Sequence, residues 1–327
     1  MQDLSTYAFI NAKVRAMLGQ SLSAEDFNRL IQARDIEDAI ALLKDTPYSS
    51  LIRIDVLHDK GLEFIEGELE AYDISLHQKI MRGLPVDGAL KKIIALLKER
   101  YELDQVKVLL RTWNKKAGDE GRQIAARNVD ELAGTLANTP FAKPILAGKE
   151  KYEKTGSLFY IETALDRDYF DRLWCQIDRL PRQDREIAKR MVGVEIDIEN
   201  ISGLIRLKGY YDLPFSEVAS MMLPRGYKTN EQLLQAMFQG LAKGPYHDLA
   251  ELLGKGMDRS QLHLMESVLI QVSLQEAKRA LAGFPFTIGT ILSYLILKRL
   301  ETRNIISILY SKSYGMKPDQ IRGILAC

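Results

Sequence analysis

The sequence predicts an all-α protein in which one helical unit is repeated three times. Three observations carry that reading. Apolar residues recur at helical spacing, as in Ile198, Ile201 and Ile205 with Leu204 beside them. No long stretch alternates apolar and polar residues in the manner of a strand. Four short phrases return three times, in the same order and in register.

The first phrase is Leu43-Lys44-Asp45-Thr46-Pro47-Tyr48, which returns as Leu136-Ala137-Asn138-Thr139-Pro140-Phe141 and as Leu241-Ala242-Lys243-Gly244-Pro245-Tyr246. The second, apolar-Glu-x-x-Leu, starts at Ile65-Glu66, Ile161-Glu162 and Met265-Glu266. An apolar-Pro step follows each Glu by 19 positions, at Leu84-Pro85, Leu180-Pro181 and Phe284-Pro285. An acid and a polar residue three apart close the set: Asp104/Lys107, Asp197/Asn200 and Glu301/Asn304. Copies one and two are offset by 93 to 96 residues, copies two and three by 104 or 105. The expected division is into helical units 1–118, 119–212 and 213–327, each of roughly 100 residues and large enough for a small core.

Each unit ends in a long helix with legible limits. Pro85, Pro181 and Pro285 suit a first turn, where a missing N–H costs nothing. Gly118, Gly209 and Gly315 stand where a left-handed residue closes a helix. Those limits predict helices of about 28 to 33 residues, roughly 40–50 Å long. The Thr/Gly-Pro-aromatic phrases close shorter helices such as Ile36 to Lys44, because Pro forbids continuation. The repeat is also permuted against the chain ends. Met316-Lys317-Pro318 through Arg322 resembles Leu213-Pro214 through Val218, and Ile10-Asn11 through Phe27 reads as a fourth, partial copy. An N-terminal fragment is therefore expected to complete the C-terminal unit. Three such units would close around an axis, with an open solenoid-like stack as the alternative.

Composition excludes several classes of function. At 46% apolar and 27% charged, with net charge +1, the chain carries no global field to recruit nucleic acid or an anionic membrane. Six basic residues after Pro285 (Lys298, Arg299, Arg303, Lys312, Lys317, Arg322) and the acidic run Glu63, Glu66, Glu68, Glu70, Asp73 read as solvated helix faces, with partner docking as the alternative. Two cysteines, Cys175 and Cys327, fit a reducing compartment. The start lacks the layout of a signal peptide. The longest uncharged stretch, Leu281 to Leu297, has 17 residues interrupted by Pro285 and two glycines, too short for a membrane span.

No phosphate loop, dinucleotide-type glycine pattern, His-Glu-x-x-His, nucleophile elbow or Cys-x-x-Cys occurs. His58, His77, His247 and His263 are scattered and read as ordinary surface or core residues. Glu66, Glu162 and Glu266 admit two readings: convergence on a pseudo-threefold axis around a cation, or a tether to a neighbouring helix, of which the tether is preferred. Asp104, Asp197 and Glu301 with their polar partners read as devices that fix helix register. No residue is assigned to catalysis, to a cofactor or to a metal.

These residues carry a resemblance. Val194-Glu195-Ile196-Asp197-Ile198-Glu199-Asn200 through Gly209 resembles the Glu-x-Asp-x-x-Asn signature of the C subunits of bacterial and archaeal V/A-type ATPases, equivalent to the d subunits of eukaryotic vacuolar ATPases. Phe284-Pro285-Phe286-Thr287-Ile288-Gly289 through Glu301-Thr302-Arg303-Asn304 is similar to that family's C-terminal helix, and Tyr7 through Arg15 to its N-terminal one, with Lys13 in place of the common Arg. The first unit departs most, with Lys107 at the Asn position. The resemblance implies a non-catalytic rotor subunit of three helical units in a pseudo-threefold funnel. It also implies that the funnel sits on the cytoplasmic face as a peripheral protein, receives the central-stalk subunits and stands on the membrane rotor ring. No nucleic acid and no membrane span of its own are implied. The rival readings are a helical-repeat adaptor unrelated to a rotary motor and, more distantly, an enzyme with a convergent acidic site. Coupling ion and direction of the reaction stay open.

Overall fold

Helices form wherever the apolar stripe and a capping residue coincide. The computed structural model describes residues 4–85, 88–115, 126–211, 213–243, 247–255 and 262–325. Among these every regular element is helical, and helix makes up 76% of the structure. The elements are α1 (Leu4–Leu18), α2 (Ala24–Gln32), α3 (Ile36–Leu42), α4 (Ile54–Lys60), α5 (Leu62–Met81), α6 (Ala89–Lys115), α7 (Val129–Thr135) and α8 (Ala142–Thr155). They continue with α9 (Phe159–Ile177), α10 (Arg182–Tyr211), α11 (Phe215–Met221), α12 (Glu231–Phe238), α13 (His247–Lys255), α14 (Leu262–Leu281), α15 (Ile288–Ser313) and α16 (Pro318–Ile324).

The repeated phrases fall on a repeated helix pair. A helix of 19 or 20 residues (α5, α9, α14) is followed by a long one of 27, 30 or 26 residues (α6, α10, α15). Two of the long helices are slightly shorter than the sequence suggested, and their ends show why. Pro181 immediately precedes α10, and its carbonyl accepts the Arg185 N–H at 2.8 Å. Pro285, by contrast, lies before α15 rather than in its first turn, and Thr287 takes the N-cap position. The Asp184 carboxylate accepts the Ile288 N–H at 3.0 Å, so a side chain from α10 satisfies a donor that α15 leaves open. At the other end Gly315 closes α15 at φ +68°, with the Met316 N–H donating to Ser311 O at 2.9 Å. Gly209 does not end its helix: α10 runs on to Tyr211. A glycine in a helix is costly but tolerated, so it marks an end only where the backbone turns left-handed. Gly118 lies outside the described residues.

The chain divides into two compact units. The first comprises 1–86, 181–194 and 258–327. Its core joins Leu30, Ile31, Ile40, Leu43 and Tyr48 from the N-terminal region to Ile305, Ile308, Leu309, Ile321 and Leu325. Of the partial copy read at Ile10 to Phe27, Leu22 and Phe27 pack half-buried against this core, whose N-terminal share comes from the residues that follow it. Lys312 of α15 reinforces the union by donating to Ile31 O at 2.7 Å and to Ala33 O, carbonyls at the end of α2.

The second unit comprises 87–180 and 195–257, so α10 contributes to both. Here α8 lies close against α9 because Gly148 has no side chain. A Cβ at that position would sit 2.6 Å from the Ile161 Cα, closer than any side chain can approach. The Trp113 indole N–H donates to Ala126 O at 2.8 Å, and the Tyr152 hydroxyl donates to Asn114 at 2.7 Å, fixing the end of α6.

The first phrase forms the same local structure in both copies that are described. Thr46 Oγ1 donates to Leu43 O at 2.6 Å, and Thr139 Oγ1 donates to Leu136 O at 2.7 Å. Each threonine then accepts the N–H of the aromatic two residues on, Tyr48 or Phe141, at 3.3 Å. The third copy, Gly244-Pro245-Tyr246, lies outside the described residues. Helix α3 stops at Leu42, and Lys44 belongs to the turn.

Candidate functional site

The recurring polar residues act on the long helices, and each unit uses them differently. In the second unit Asp197 is fully buried on α10 and accepts from Lys228 N at 2.8 Å, Thr229 N at 2.9 Å and Thr229 Oγ1 at 2.6 Å. Asn200, one turn on, takes both backbone groups of Leu223: its amide donates to Leu223 O at 2.9 Å, and its oxygen accepts from Leu223 N at 2.7 Å. The pair straps the segment between α11 and α12 onto α10. Burial pushes the Asp197 carboxyl up, opposed by the hydrogen bonds from Thr229 and Lys228.

On α6 the same register carries Asp104 and Lys107. Lys107 Nζ donates to Asp166 Oδ1 of α9 at 2.6 Å, and Arg100 reaches Asp166 at 3.3 Å, Asp104 at 3.4 Å and Glu199 of α10. Lys107, Arg100 and Asp166 are all buried. Burial pushes the Asp166 carboxyl up, and the Lys107 and Arg100 charges oppose that shift.

In the first unit Glu301 accepts from the Tyr48 hydroxyl and from Lys298 Nζ, both at 2.7 Å and both at Oε1. The next residue, Thr302, donates to Asp73 Oδ1 of α5 at 3.0 Å. Burial drives the Asp73 carboxyl up to about 7, against the Thr302 hydrogen bond and the Lys298 and Arg299 charges. The sign is clear. A carboxyl whose native pKa is raised favours folding at pH below its unfolded value near 4, and that contribution is lost as pH rises through about 7. Asp73→Asn keeps an acceptor for Thr302 and cannot ionise. Thermal melts should show the variant gaining at pH 8 relative to pH 5, on the order of 2–3 kcal/mol, because part of the contribution is already lost at pH 5. A wild-type-like pH profile in the variant would remove Asp73 from that account.

The recurring glutamates are tethers where they are described. Glu162 accepts from Arg111 Nε at 2.6 Å and Nη2 at 3.0 Å, tying α9 to α6. Glu66 accepts from the Tyr310 hydroxyl at 2.7 Å, tying α5 to α15. The Glu266 side chain lies outside the described residues. In both described tethers the Glu of one copy holds the long helix of the copy before it, counting α15 as preceding α5.

Two charge runs are corrected. Lys298 and Lys312 are buried, so the basic residues after Pro285 do not form one solvated face. Asp73 is buried and Glu66 is tied to Tyr310, so the acidic run is split in the same way. Their positions on α5 and α15 put these residues on the stripe facing the core, which charge counting alone does not reveal. His77 Nδ1 sits 2.9 Å from Asp73 O and His247 Nδ1 3.2 Å from Ala242 O, while exposed His58 faces Glu37 at 3.2 Å. The His263 side chain lies outside the described residues.

Sequence reading missed a third repeated position. A lysine follows each acid by 11 residues: Lys115, Lys208 and Lys312. Lys208 donates to Phe238 O, the last residue of α12, as Lys312 does to the end of α2. It also missed the caps. Asp35, Asn128 and Asn230 each accept the N–H three residues on, at 2.8, 2.9 and 2.8 Å, and so start α3, α7 and α12. The lysine stood in the sequence at constant spacing, whereas the caps did so in the first two copies only, 12 residues before Pro47 and Pro140 but 15 before Pro245.

Among the described residues no group of three or more His, Cys, Asp or Glu is placed to hold a metal ion, and no helix is long and apolar enough to cross a membrane. Fold and site together define an all-helical repeat protein whose recurring polar residues tie long helices to their neighbours. Residues 10–324 match the family model for the ATP synthase (C/AC39) subunit, and the chain belongs to that family. It is 26% identical to the C subunit of the A-type ATP synthase of Methanocaldococcus jannaschii, over 99% of this chain and 87% of the relative. The corresponding C subunits of Methanosarcina mazei (25% identity, 97% and 92% coverage) and Pyrococcus horikoshii (20%, 98% and 90%) are also similar.

Proposed function

We propose that this chain is the non-catalytic socket of an A/V-type rotary ATPase, coupling the central stalk to the membrane rotor ring. The family match over residues 10–324 carries the reading. The helix pairs support it: long helices of 26 to 30 residues, about 40–45 Å at 1.5 Å per residue, suit a part that must pass torque without bending. Buried ties at Asp197, Asp166 and Glu301 resist sliding of those helices, since a strained tie exposes an unpaired polar group. In this reading units 1–118, 119–212 and 213–327 form a pseudo-threefold funnel. The funnel receives the stalk tip at one end and rests on the ring at the other. It lies on the cytoplasmic side as a peripheral protein held through the ring, and it takes neither nucleotide nor nucleic acid.

The test is reconstitution. The purified chain should capture the central-stalk subunits and the detergent-solubilised ring separately, and calorimetry should detect no stoichiometric ATP binding. A complex assembled without it should hydrolyse ATP in its soluble head and pump no ions. Ion pumping at normal coupling without this chain would refute the socket role. Capture of neither partner, with unrelated peptides bound instead, would favour a free adaptor.

A further inference from the structure

Within the first unit, helices α2, α14, α15 and α16 line a cavity of about 520 Å³ that adjoins the Glu301 tie. Its walls are apolar, built by Leu22, Phe27, Leu297 and Leu300 among others, and Glu301 and Asn304 lie at its buried floor. Its rim carries Asn28, Lys278 and Arg322, all exposed. Lys278 makes no ion pair among the described residues. Arg322 meets only the exposed Asp319 of its own helix there, at 3.0 Å, a surface pair worth little and easily exchanged.

The second unit indicates what such a place accommodates. There Asp197, in the register of Glu301, takes the backbone N–H groups of Lys228 and Thr229 and lies under the segment joining α11 to α12. That segment brings Lys228 beside the buried carboxylate, while its Arg225 pairs with Asp171 of α9 at 2.6 Å. Glu301 is held instead by two side chains, Tyr48 and Lys298, and the cavity adjoins it. The Lys298 ammonium 2.7 Å away offsets its charge, so the free charge at the cavity is the positive rim.

We propose that this cavity receives an extended, acidic segment of a partner polypeptide. An apolar side chain would enter between Phe27, Leu297 and Leu300, and flanking carboxylates would meet Lys278 and Arg322. The volume suits an anchor of one or two side chains, and apolar walls with a few placed polar groups are the ordinary make-up of a specific pocket. Rim charges of one sign select the partner and speed its approach more than they add affinity. The inference stands apart from the socket role, since every residue it uses belongs to one unit.

The test is selection of a phage-displayed random nonapeptide library on the full chain. Enriched clones should share an apolar residue flanked by Asp or Glu. Synthetic peptides from them should bind the double variant K278E/R322E at least tenfold more weakly, with affinity falling as salt rises. Leu297→Trp, which fills a half-buried wall, should abolish binding while the melting temperature stays near wild type. If Leu297→Trp fails to fold, Leu297→Lys at the same wall replaces it, and the rim variant alone still decides. No enrichment, clones without acidic residues, or clones indifferent to both variants would overturn the proposal. So would binding of lauric acid in competition with the peptides at equal or higher affinity, or a concentration-dependent dimer lost on K278E/R322E.

Discussion

Cutting the chain before Pro285 is expected to unfold the first unit outright. Of the 26 residues of α15, 17 are buried: its first two turns are enclosed, and farther on only the stripe through Arg299, Arg303 and Ser313 reaches the surface. Eight of them are large apolar side chains: Ile288, Ile291, Leu292, Tyr294, Leu295, Ile305, Ile308 and Leu309. At about 1.5–3 kcal/mol each they contribute roughly 12–24 kcal/mol, more than the 5–15 kcal/mol that a whole domain holds in reserve. The loss reaches the far end of the sequence, because Leu30, Ile31, Ile40 and Tyr48 pack on residues that would be gone. Limited proteolysis of fragment 1–284 should therefore digest residues 24–80 first, and adding peptide 285–327 in trans should restore protection. A fragment that keeps those residues protected would contradict the shared core.

The second large effect is expected at Lys107. Replacing it by Met leaves Asp166 buried with Arg100 alone beside it, at 3.3 Å. Removing one partner of a buried ion pair typically costs about 3–5 kcal/mol. Asp166 would then tend to protonate, so the variant should lose most stability at high pH and least near pH 5. The double variant Lys107→Met/Asp166→Leu should recover much of the loss, since burying two apolar groups in place of a pair is often neutral. Urea unfolding of the four proteins of this cycle measures the coupling directly. A coupling energy near zero would mean that Arg100 alone holds Asp166.

Much of the fold was legible because it is written in triplicate. Constant spacing between Glu162 and Pro181, or Asp197 and Asn200, located the helix pair without any knowledge of its packing. The ends were less legible. Gly315 and Gly209 look alike in sequence, yet only one turns left-handed, because helix continuation is decided by what covers the next turn. The charged runs failed for a related reason: Lys298 and Asp73 are buried by partners more than 200 positions away, Tyr48 and Thr302 respectively. Pairings of that range are invisible to local pattern. The tether role of Glu66 and Glu162 was foreseen, whereas the identity of each partner, a tyrosine in one and an arginine in the other, was not.

The bond from Lys312 to Ile31 spans 281 positions, and it bears on how the protein is made. At about 5–20 residues per second, a ribosome adds residue 312 roughly 14–56 s after residue 31. For most of that time the first 86 residues are already synthesised but lack the helix that buries them. The second unit, 87–180 and 195–257, has all of its residues earlier and can condense while translation proceeds. Nascent chains stalled near residue 260 should thus present a folded middle and a protease-sensitive beginning, and that beginning is the part expected to occupy chaperones until the last helices emerge.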